Sequence, residues 1–239
     1  MNKTTLCSEP NMVLVQSFEN FSGGYNPKTG FFISRTVLDG DYYKDVNKIV
    51  EGWVDNMYVD PKLMEQFGKG AGKFEVVSLK SYDGTNENIY APPERELPDN
   101  FKYTPAYYSS PNLKKVVDWF QCEKTRVRVF RQLPGKNVEL HHDFDNERED
   151  FSDENIMLRV FMPLTDRDAY LNLANENSDI MVKLVKGQFA IINVDTVWHG
   201  SITFDNEPRD WLNMIVKWNP WLHELTRAKP IVGIERIKL

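Results

Sequence analysis

The sequence contains few cysteines and histidines and no long apolar run. Cys7 and Cys122 are the only cysteines in 239 residues, so no disulfide framework is predicted, and free thiols in a reducing cytoplasm are expected. The first residues lack the apolar stretch of a signal peptide, and no window approaches the roughly 20 apolar residues of a membrane span. The sequence therefore predicts a cytoplasmic protein that does not insert into a membrane.

The chain also has no excess of positive charge. Its 29 basic and 35 acidic residues give a formal net charge of −6. A general binder of nucleic acid or of anionic membranes needs a basic field, so neither partner is expected. Hydrophobic residues make up 41% of the chain and aromatic residues 13%, which is enough to fill the core of one large domain.

The first half of the chain contains helical and loop signals and no internal repeat. Residues 41–68 predict a largely helical segment with a break before Pro61, because apolar residues recur with helical spacing at Val46, Ile49, Val50 and Trp53. Residues 83–112 are rich in Pro, Gly, Asn and Tyr and predict a long ordered loop. The stretch "PNLKKVVDWF" predicts a short helix after that loop.

Strand signals dominate from residue 121 onwards. Eight short segments are punctuated by Gly, Pro, Asn and Asp: "TRVRVFRQL", "NVELHHD", "NIMLRVFMPL", "AYLNLAN", "DIMVKLV", "QFAIINV", "HGSITF" and "DWLNMIVKW". This spacing predicts an antiparallel sandwich or barrel. We expect a single domain, with helices and loops over 1–120 covering a sheet face, a β core over 121–218 and a tail over 219–239.

Two of the four histidines lie in the stretch "VELHHDFDNE". If "NVELHHD" is a strand, His141 and Asp143 share one face and His142 points the other way. An imidazole and a carboxylate two residues apart can reach one metal ion, and His199 can supply a third ligand. Two histidines and a carboxylate form the facial triad of non-haem iron(II) sites. The alternative is that each histidine is a partly buried structural side chain, and we assign His142 and His223 to that class.

Two arginines lie in apolar strand segments. Arg209 opens the segment whose alternation places Trp211 and Asn213 on the same face, and Arg159 shares a face with Phe161. A lone buried cation is costly unless it is paired, and a guanidinium forms a fork that fits a carboxylate. A dicarboxylate could therefore lie with one end on a metal ion and the other on an arginine. Internal salt bridges with the many acidic residues are the alternative.

The segments "LPGKNVELHHD", "LRVFMPL" and "VKGQFAIINVDTVWHGSITFDNEPR" resemble the iron(II)/2-oxoglutarate-dependent oxygenases. The likeness is strongest to the aspartyl/asparaginyl β-hydroxylase branch and extends to bacterial amino-acid hydroxylases such as the proline hydroxylases. It covers roughly residues 124–218. The family's ordered pattern is matched by Pro134, Gly135, His141, Asp143, Arg159, Gly187, His199 and Arg209.

The resemblance implies a double-stranded β-helix, also called a jelly roll or cupin-like fold, that binds Fe(II), 2-oxoglutarate and O2. His141, Asp143 and His199 would bind the metal, Arg209 would pair with the C5 carboxylate of 2-oxoglutarate, and Arg159 would also contribute to cosubstrate binding. The β-hydroxylase branch has a histidine two residues after this arginine, where this chain has Phe161. The β-hydroxylase itself lacks the metal carboxylate, whereas this chain has Asp143.

The implied activity is hydroxylation of an unactivated C–H bond with release of succinate and CO2. Two other classes remain open: a cupin-like metal-dependent hydrolase or isomerase, and a non-catalytic β-sandwich binding module. Arg209 disfavours the hydrolase, because hydrolysis needs no anchor for 2-oxoglutarate. The substrate is expected to be a small amino-acid-like molecule or a protein side chain, with Arg128, Tyr107 and Trp211 as candidate contacts. The sequence does not predict the oligomeric state.

Overall fold

The computed structural model describes residues 5–6, 30–51, 74–87, 98–135, 137–143, 156–167, 169–175, 178–227 and 235–239. The strands are β1 (Thr5–Leu6), β2 (Phe31–Asp39), β3 (Phe74–Ser81), β4 (Lys102–Tyr103), β5 (Lys124–Gln132), β6 (Val138–His141), β7 (Met157–Pro163), β8 (Ala169–Asn175), β9 (Ser178–Val182), β10 (Gln188–Ile192), β11 (Trp198–Thr203), β12 (Arg209–Lys217) and β13 (Glu235–Lys238). The helices are α1 (Tyr42–Glu51), α2 (Pro105–Tyr108), α3 (Pro111–Trp119) and α4 (Pro220–Thr226), and a 3-10 turn covers Pro98–Asn100. None of these helices is long and apolar enough to cross a membrane.

The strands form two sheets. The larger has the order β13-β2-β10-β7-β12-β5-β3-β4, and the smaller has the order β1-β9-β8-β11-β6. From β5 to β12 the chain alternates between the sheets, except that β8 and β9 are neighbours in the smaller one. The described pairs among these eight strands are antiparallel. This topology is a double-stranded β-helix, as the resemblance implied, and all eight predicted strand segments are strands.

Strand alternation separates two hydrophobic cores. On β7, Leu158 and Val160 pack into a core between the larger sheet and the helices. The side chain between them, Arg159, and the next one along, Phe161, point to the opposite side, where Phe161 packs against a second core that lies between the two sheets. We call the face of the larger sheet that is turned toward the smaller sheet its inner face. Polar side chains on this face enter the interior of the barrel.

The predicted helices are present where the structure describes them. Val46 and Ile49 of α1 are buried in the core beneath the larger sheet, as their spacing predicted. The carboxylate of Asp45 accepts hydrogen bonds from the backbone N–H groups of Asn112 and Leu113, at 2.6 and 2.9 Å, so α1 caps the N-terminus of α3. The predicted continuation of the helix through Trp53 and its break before Pro61 lie outside the described residues.

The description of 1–120 as helices and loops was incomplete. It also contains β2 and β3, which extend the larger sheet on both sides of the core strands through β10 and β5. Similarly, 219–239 contains α4 and β13, and β13 pairs in parallel with β2. These segments were missed because "FFISRTVLD" and "FEVVSLKS" have mixed polarity, and pairing with a preformed sheet decides their conformation.

Gly187 ties three strands of the larger sheet together. Its φ is +81°, its N–H donates to the carbonyl of Pro163 at the end of β7, and its carbonyl accepts from the N–H of Leu38 on β2. A Cβ at this position would lie 2.2 Å from the backbone oxygen of Leu38. Glycine is therefore required both by the left-handed backbone and by the close approach of β2.

We predict that Gly187→Ala destabilises the protein much more than Gly135→Ala. Gly135 also has a positive φ, +66°, but a Cβ there would meet no atom within 4 Å. The control should cost only the strain of a left-handed residue, about 1–2 kcal/mol, whereas Gly187→Ala must also displace β2. Urea unfolding of both variants measures the difference, and equal losses would contradict this role for Gly187.

Candidate metal centre

Pairing of β6 with β11 brings the two predicted histidine ligands together. His141 and His199 are directly opposite each other in this antiparallel pair, so their side chains lie on the same face of the smaller sheet. Asp143 lies in the bend after β6, and its N–H donates to the carbonyl of Val194 at 3.3 Å. This bond fixes the bend against the connection that leads into β11.

Gly200 permits the close approach of these two strands. A Cβ at this position would lie 2.6 Å from the carbonyl oxygen of Val138 and 3.0 Å from that of Glu139, both on β6. The pairing register also shifts between His199 and Ser201. Any larger residue would push β6 away and separate His141 from His199. The sequence signal, a glycine directly after the ligand histidine, was present but not used.

The three ligand side chains converge. Their ligand atoms lie within 4.8 Å of one another, and Oδ1 of Asp143 is 3.4 Å from Nε2 of His141 and 3.5 Å from Nε2 of His199. The Nδ1 atoms of the two rings lie 2.8 and 3.2 Å from the carbonyl oxygens of Glu139 and Val197. A carbonyl only accepts, so Nδ1 carries the proton and the Nε2 lone pair faces the common point.

Two imidazole nitrogens and one carboxylate oxygen form a donor set that fits a divalent transition metal. Within the described residues, this is the one group of metal-ligating side chains that is close enough to hold an ion. The backbone acceptors on Nδ1 already fix the tautomer that metal binding requires. The arrangement therefore fits the predicted iron site.

Arg159 neutralises the buried carboxylate. Its guanidinium contacts Oδ2 of Asp143, which leaves Oδ1 toward the histidines. Burial alone would raise the pKa of Asp143, but Arg159 and the neighbouring imidazoles of His141 and His199 outweigh it and hold the pKa well below its usual range. The resemblance implied that Arg159 contacts the cosubstrate; here its partner is the ligand carboxylate.

The two histidines titrate differently. Burial lowers the pKa of His199 and outweighs the opposing effect of the nearby Asp143 carboxylate, so His199 is neutral at pH 7. Burial also opposes protonation of His141, but the hydrogen bonds to Asp143 and to the carbonyl of Glu139 raise its pKa above the usual value. A proton therefore competes with a metal ion at His141 before it does so at His199.

Arg209 is the first residue of β12 and is fully buried, with 0% of its surface exposed. Its guanidinium carbon lies 3.5 Å from the ring centroid of Trp211, two residues along the inner face of β12. The indole N–H of Trp211 and the hydroxyl of Ser201 both donate to Oε1 of Gln132, at 3.4 and 3.1 Å. Gln132 is the cross-strand partner of Arg209. This network links the ligand strand β11 to the position of Arg209.

The other predicted contact residues differ in position. Arg128 is buried on β5, two residues from Phe130, whose side chain packs against the core between the sheets. Trp211 packs on Arg209, and its contact with a substrate stays a prediction. The predicted substrate contact of Tyr107 does not fit its position. Tyr107 lies in the core beneath the larger sheet, stacks on Tyr103 with ring centroids 4.0 Å apart, and donates a hydrogen bond to Asp118. The sheet separates it from the metal ligands.

The histidines assigned no metal role lie away from the cluster. The ring of His142 lies tilted against that of Trp198, with centroids 4.1 Å apart, and His223 lies on α4. Asn213, predicted from strand alternation to share a face with Arg209 and Trp211, was assigned no role. It is 4% exposed, and its Cα partners in the sheet are Arg128 and Phe161. A polar residue in an apolar strand was the available signal.

Comparisons with known proteins give only distant structural likenesses. A scan against protein-family models and a search of curated proteins find no match. Among solved structures, the chain is similar to a prolyl hydroxylase from Trichoplax adhaerens in complex with a hypoxia inducible factor peptide fragment, at 11% identity and a TM-score of 0.49, covering 84% of this chain and 88% of that one. A prolyl-4-hydroxylase from Pseudomonas putida aligns at 11% identity and a TM-score of 0.44, covering 80% and 94%.

A third structure, a 2OG-Fe(II) oxygenase family oxidoreductase from Burkholderia pseudomallei, aligns at 13% identity and a TM-score of 0.40, covering 66% of this chain and 75% of that one. The assignment of the fold rests on the strand order of this chain, and the assignment of the metal centre rests on its own side chains.

We predict that His141→Ala and His199→Ala abolish binding of Fe(II) or Co(II) and leave the fold largely intact. Metal affinity should fall by more than the roughly 10–100-fold that is lost when a residue hydrogen-bonded to a metal ligand is removed. His142→Ala is the matched control, because its ring lies on the other face of the sheet. Titration calorimetry measures the affinities. Loss of binding in His142→Ala but not in His141→Ala would show that the register of β6 is wrong.

We also predict that Arg159→Met destabilises the metal-free protein by about 3–5 kcal/mol at pH 7, because it leaves a buried carboxylate without its cation. In the wild type, the contribution of Asp143 is fully present above its unfolded pKa of about 3.9 and is lost as the pH falls through its much lower folded value. In the variant the folded pKa rises, so the loss begins at higher pH.

Chemical unfolding in the presence of EDTA at several pH values measures both effects. Arg167→Met, which removes a partly exposed ion pair with Glu207, is the control and should cost less than about 1 kcal/mol. Equal stability of the two variants would show that the ion pair between Arg159 and Asp143 does not form in solution.

Proposed function

We propose that this chain is an Fe(II)- and 2-oxoglutarate-dependent dioxygenase that hydroxylates an unactivated C–H bond of a small amino-acid-like molecule or a protein side chain. The observation that carries the proposal is the cluster of His141, Asp143 and His199, together with the fully buried Arg209 on the inner face of β12. The metal ligands alone fit several classes of enzyme. The buried cation favours a cosubstrate that carries a carboxylate.

The ligands leave part of the coordination sphere open. His141, Asp143 and His199 supply three donors, so a bound metal keeps positions for other ligands. Fe(II), with 2-oxoglutarate and O2, supplies the oxidation of a C–H bond, with release of succinate and CO2. Asp143 fills the ligand position that a halide would need at the metal, which supports hydroxylation over halogenation. Arg159 holds Asp143 through Oδ2, and we assign it to that role rather than to direct cosubstrate binding.

Arg209 would bind the C5 carboxylate of 2-oxoglutarate through its planar fork. Ser201 follows the ligand His199 by two residues on β11, which is roughly 7 Å along a strand. Ser201 and Trp211 both donate hydrogen bonds to Gln132, and Trp211 packs on Arg209. An extended five-carbon dicarboxylate has a comparable length. The apolar side chains of Trp211 and Phe161 reduce access of water to this path, which strengthens the charged contacts.

The two alternative classes are less well supported. A metal-dependent hydrolase or isomerase of cupin-like build would use the same three ligands but has no use for a buried carboxylate anchor at Arg209. A non-catalytic β-sandwich would have no reason to turn both Nε2 lone pairs toward a carboxylate. Three statements stay predictions: membership of the β-hydroxylase branch, a cytoplasmic location, and the absence of nucleic-acid and membrane partners.

Anaerobic addition of Fe(II) and 2-oxoglutarate tests the proposed class. A weak visible charge-transfer band is expected only when 2-oxoglutarate chelates iron at a site of this kind. Under air, succinate release should depend on both additions. Absence of the band, together with hydrolytic turnover supported by zinc, would favour the hydrolase instead.

We predict that Arg209→Ala weakens 2-oxoglutarate binding at least tens-fold, since truncating one partner of a buried, hydrogen-bonded charge pair costs about 2–5 kcal/mol. Arg209→Lys should rescue poorly, because an ammonium cannot reproduce the fork. Arg227→Ala, which removes an exposed arginine at the end of α4, is the control.

The 2-oxoglutarate dependence of both the charge-transfer band and succinate release measures the affinities. An unchanged affinity in Arg209→Ala would overturn the cosubstrate assignment. The metal-binding measurement on the same variants shows whether the iron site itself has been preserved.

A further inference from the structure

A hydrogen bond crosses the interior of the barrel between its two sheets. The hydroxyl of Ser201, on β11 of the smaller sheet, donates to Oε1 of Gln132, on β5 of the larger sheet, at 3.1 Å. The indole N–H of Trp211, on β12, donates to the same oxygen at 3.4 Å. All three side chains are buried, and Gln132 is only 1% exposed. We call these three residues the cross-barrel link.

The cross-barrel link lies close to both ends of the path proposed for the cosubstrate. On β11, Ser201 follows the metal ligand His199 by two residues, which is about 7 Å along a strand. On the larger sheet, Gln132 is the Cα partner of Arg209. The guanidinium carbon of Arg209 lies 3.5 Å from the ring centroid of Trp211. Gln132 therefore lies beside the residue that is proposed to bind the distal carboxylate.

The cross-barrel link resists displacement. One amide oxygen accepts hydrogen bonds from two buried donors, so moving Gln132 would take the acceptor away from a hydroxyl and an indole N–H at once, and each loss costs free energy. The backbone of Gln132 is also held on both sides, because it pairs with Phe74 on β3 and with Arg209 on β12. A ligand that reaches the link must therefore stop there or break it.

A neutral amide suits this position better than a carboxylate. A carboxylate opposite Arg209 would pair with the guanidinium and compete with an anionic ligand. Glutamine has the size and the acceptor oxygen of glutamate but carries no charge. Gln132 can therefore hold Ser201 and Trp211 without neutralising the cation on the neighbouring strand.

The length of a ligand is the property that such a fixed link selects. A carbon–carbon bond is about 1.5 Å long, so one added methylene moves the distal carboxylate of an extended acid about 1.3 Å further from the metal. A packed interior does not absorb an extra methylene without strain. An acid with one carbon more than the path accommodates would therefore press against the cross-barrel link.

We propose that Gln132, held by Ser201 and Trp211, determines the chain length of the 2-oxo dicarboxylate that the protein accepts, and that it selects five carbons over six. Gln132 limits how far from the metal the distal carboxylate can lie. This inference rests on the proposed function, because the ligand is the proposed cosubstrate. It gives a role to a residue that was not among the predicted contacts.

Three 2-oxo acids serve as probes. They are 2-oxoglutarate, its six-carbon homologue 2-oxoadipate, and 2-oxopentanoate, which has five carbons but no distal carboxylate. Each acid is titrated anaerobically into the Fe(II)-loaded protein, and the charge-transfer band gives its affinity without turnover. The wild type should bind 2-oxoglutarate roughly ten-fold more tightly than 2-oxoadipate, or more, which corresponds to the loss of about one hydrogen bond.

Gln132→Asn tests the selection of length, because it shortens the side chain by one methylene and keeps the amide. The preference for 2-oxoglutarate over 2-oxoadipate should fall roughly ten-fold, since the longer acid gains the space that Gln132 fills. A loosened fold would weaken both acids alike and leave their ratio unchanged. Gln121→Asn makes the same change at an exposed glutamine and is the matched control. Ser201→Ala breaks the link from β11 and should shift the ratio in the same direction if Gln132→Asn does not fold.

Gln132→Glu tests the position of the link. The new side chain has the same size and still accepts from Ser201 and Trp211, but its charge lies beside Arg209. Both dicarboxylates should bind roughly ten-fold more weakly, because the new carboxylate repels the distal carboxylate and competes for the guanidinium. The affinity for 2-oxopentanoate should not change, since this acid has no distal carboxylate.

Three results would overturn the inference: equal binding of the two dicarboxylates by the wild type, an unchanged ratio in both Gln132→Asn and Ser201→Ala, or an equal loss of 2-oxoglutarate and 2-oxopentanoate in Gln132→Glu. The proposed function fails in a different way. Absence of the band with every 2-oxo acid in the wild type would overturn both proposals, whereas a band with an unchanged ratio would overturn only the role of Gln132.

Discussion

The antiparallel pairing of β6 with β11 is the constraint on which the candidate site depends. It sets His141 opposite His199, and it holds the bend that carries Asp143 against the start of β11. Gly200 makes the pairing possible, because no side chain fits between it and β6. A small backbone requirement at one position therefore fixes the separation of ligands that are distant in the sequence.

The residues around Asp143 offset the free-energy cost of burying its carboxylate. Asp143 is charged inside the barrel only because Arg159 and two imidazoles surround it. Arg159 in turn comes from the inner face of β7, between Leu158 and Val160 of the opposite face. The same alternation puts Arg128, Asn213 and Arg209 into the interior. The core beneath the larger sheet is apolar, whereas these polar side chains lie on the inner face of the same sheet.

Much of this arrangement could be predicted from the sequence, because strand periodicity is a local property. The eight core strands and the inward direction of Arg209 follow from alternation, whereas Asp143 reaches His141 from a bend after β6. Pairing partners do not follow from alternation, since they depend on residues far apart in the chain. The contact of Arg159 with Asp143 and the burial of Tyr107 beneath the sheet were therefore missed, as were β2 and β3, whose conformation depends on neighbours already in place.

The position of β6 at the end of the smaller sheet has a consequence for how the protein responds to its metal. In the described part of the chain, β6 hydrogen-bonds to β11 alone, yet it carries His141 and leads into Asp143. An ion bound to these ligands and to His199 would cross-link this edge strand to β11, which pairs with strands on both sides. Susceptibility of the backbone near residue 140 to proteolysis would then report metal occupancy, and iron supply would influence the lifetime of the protein as well as its activity.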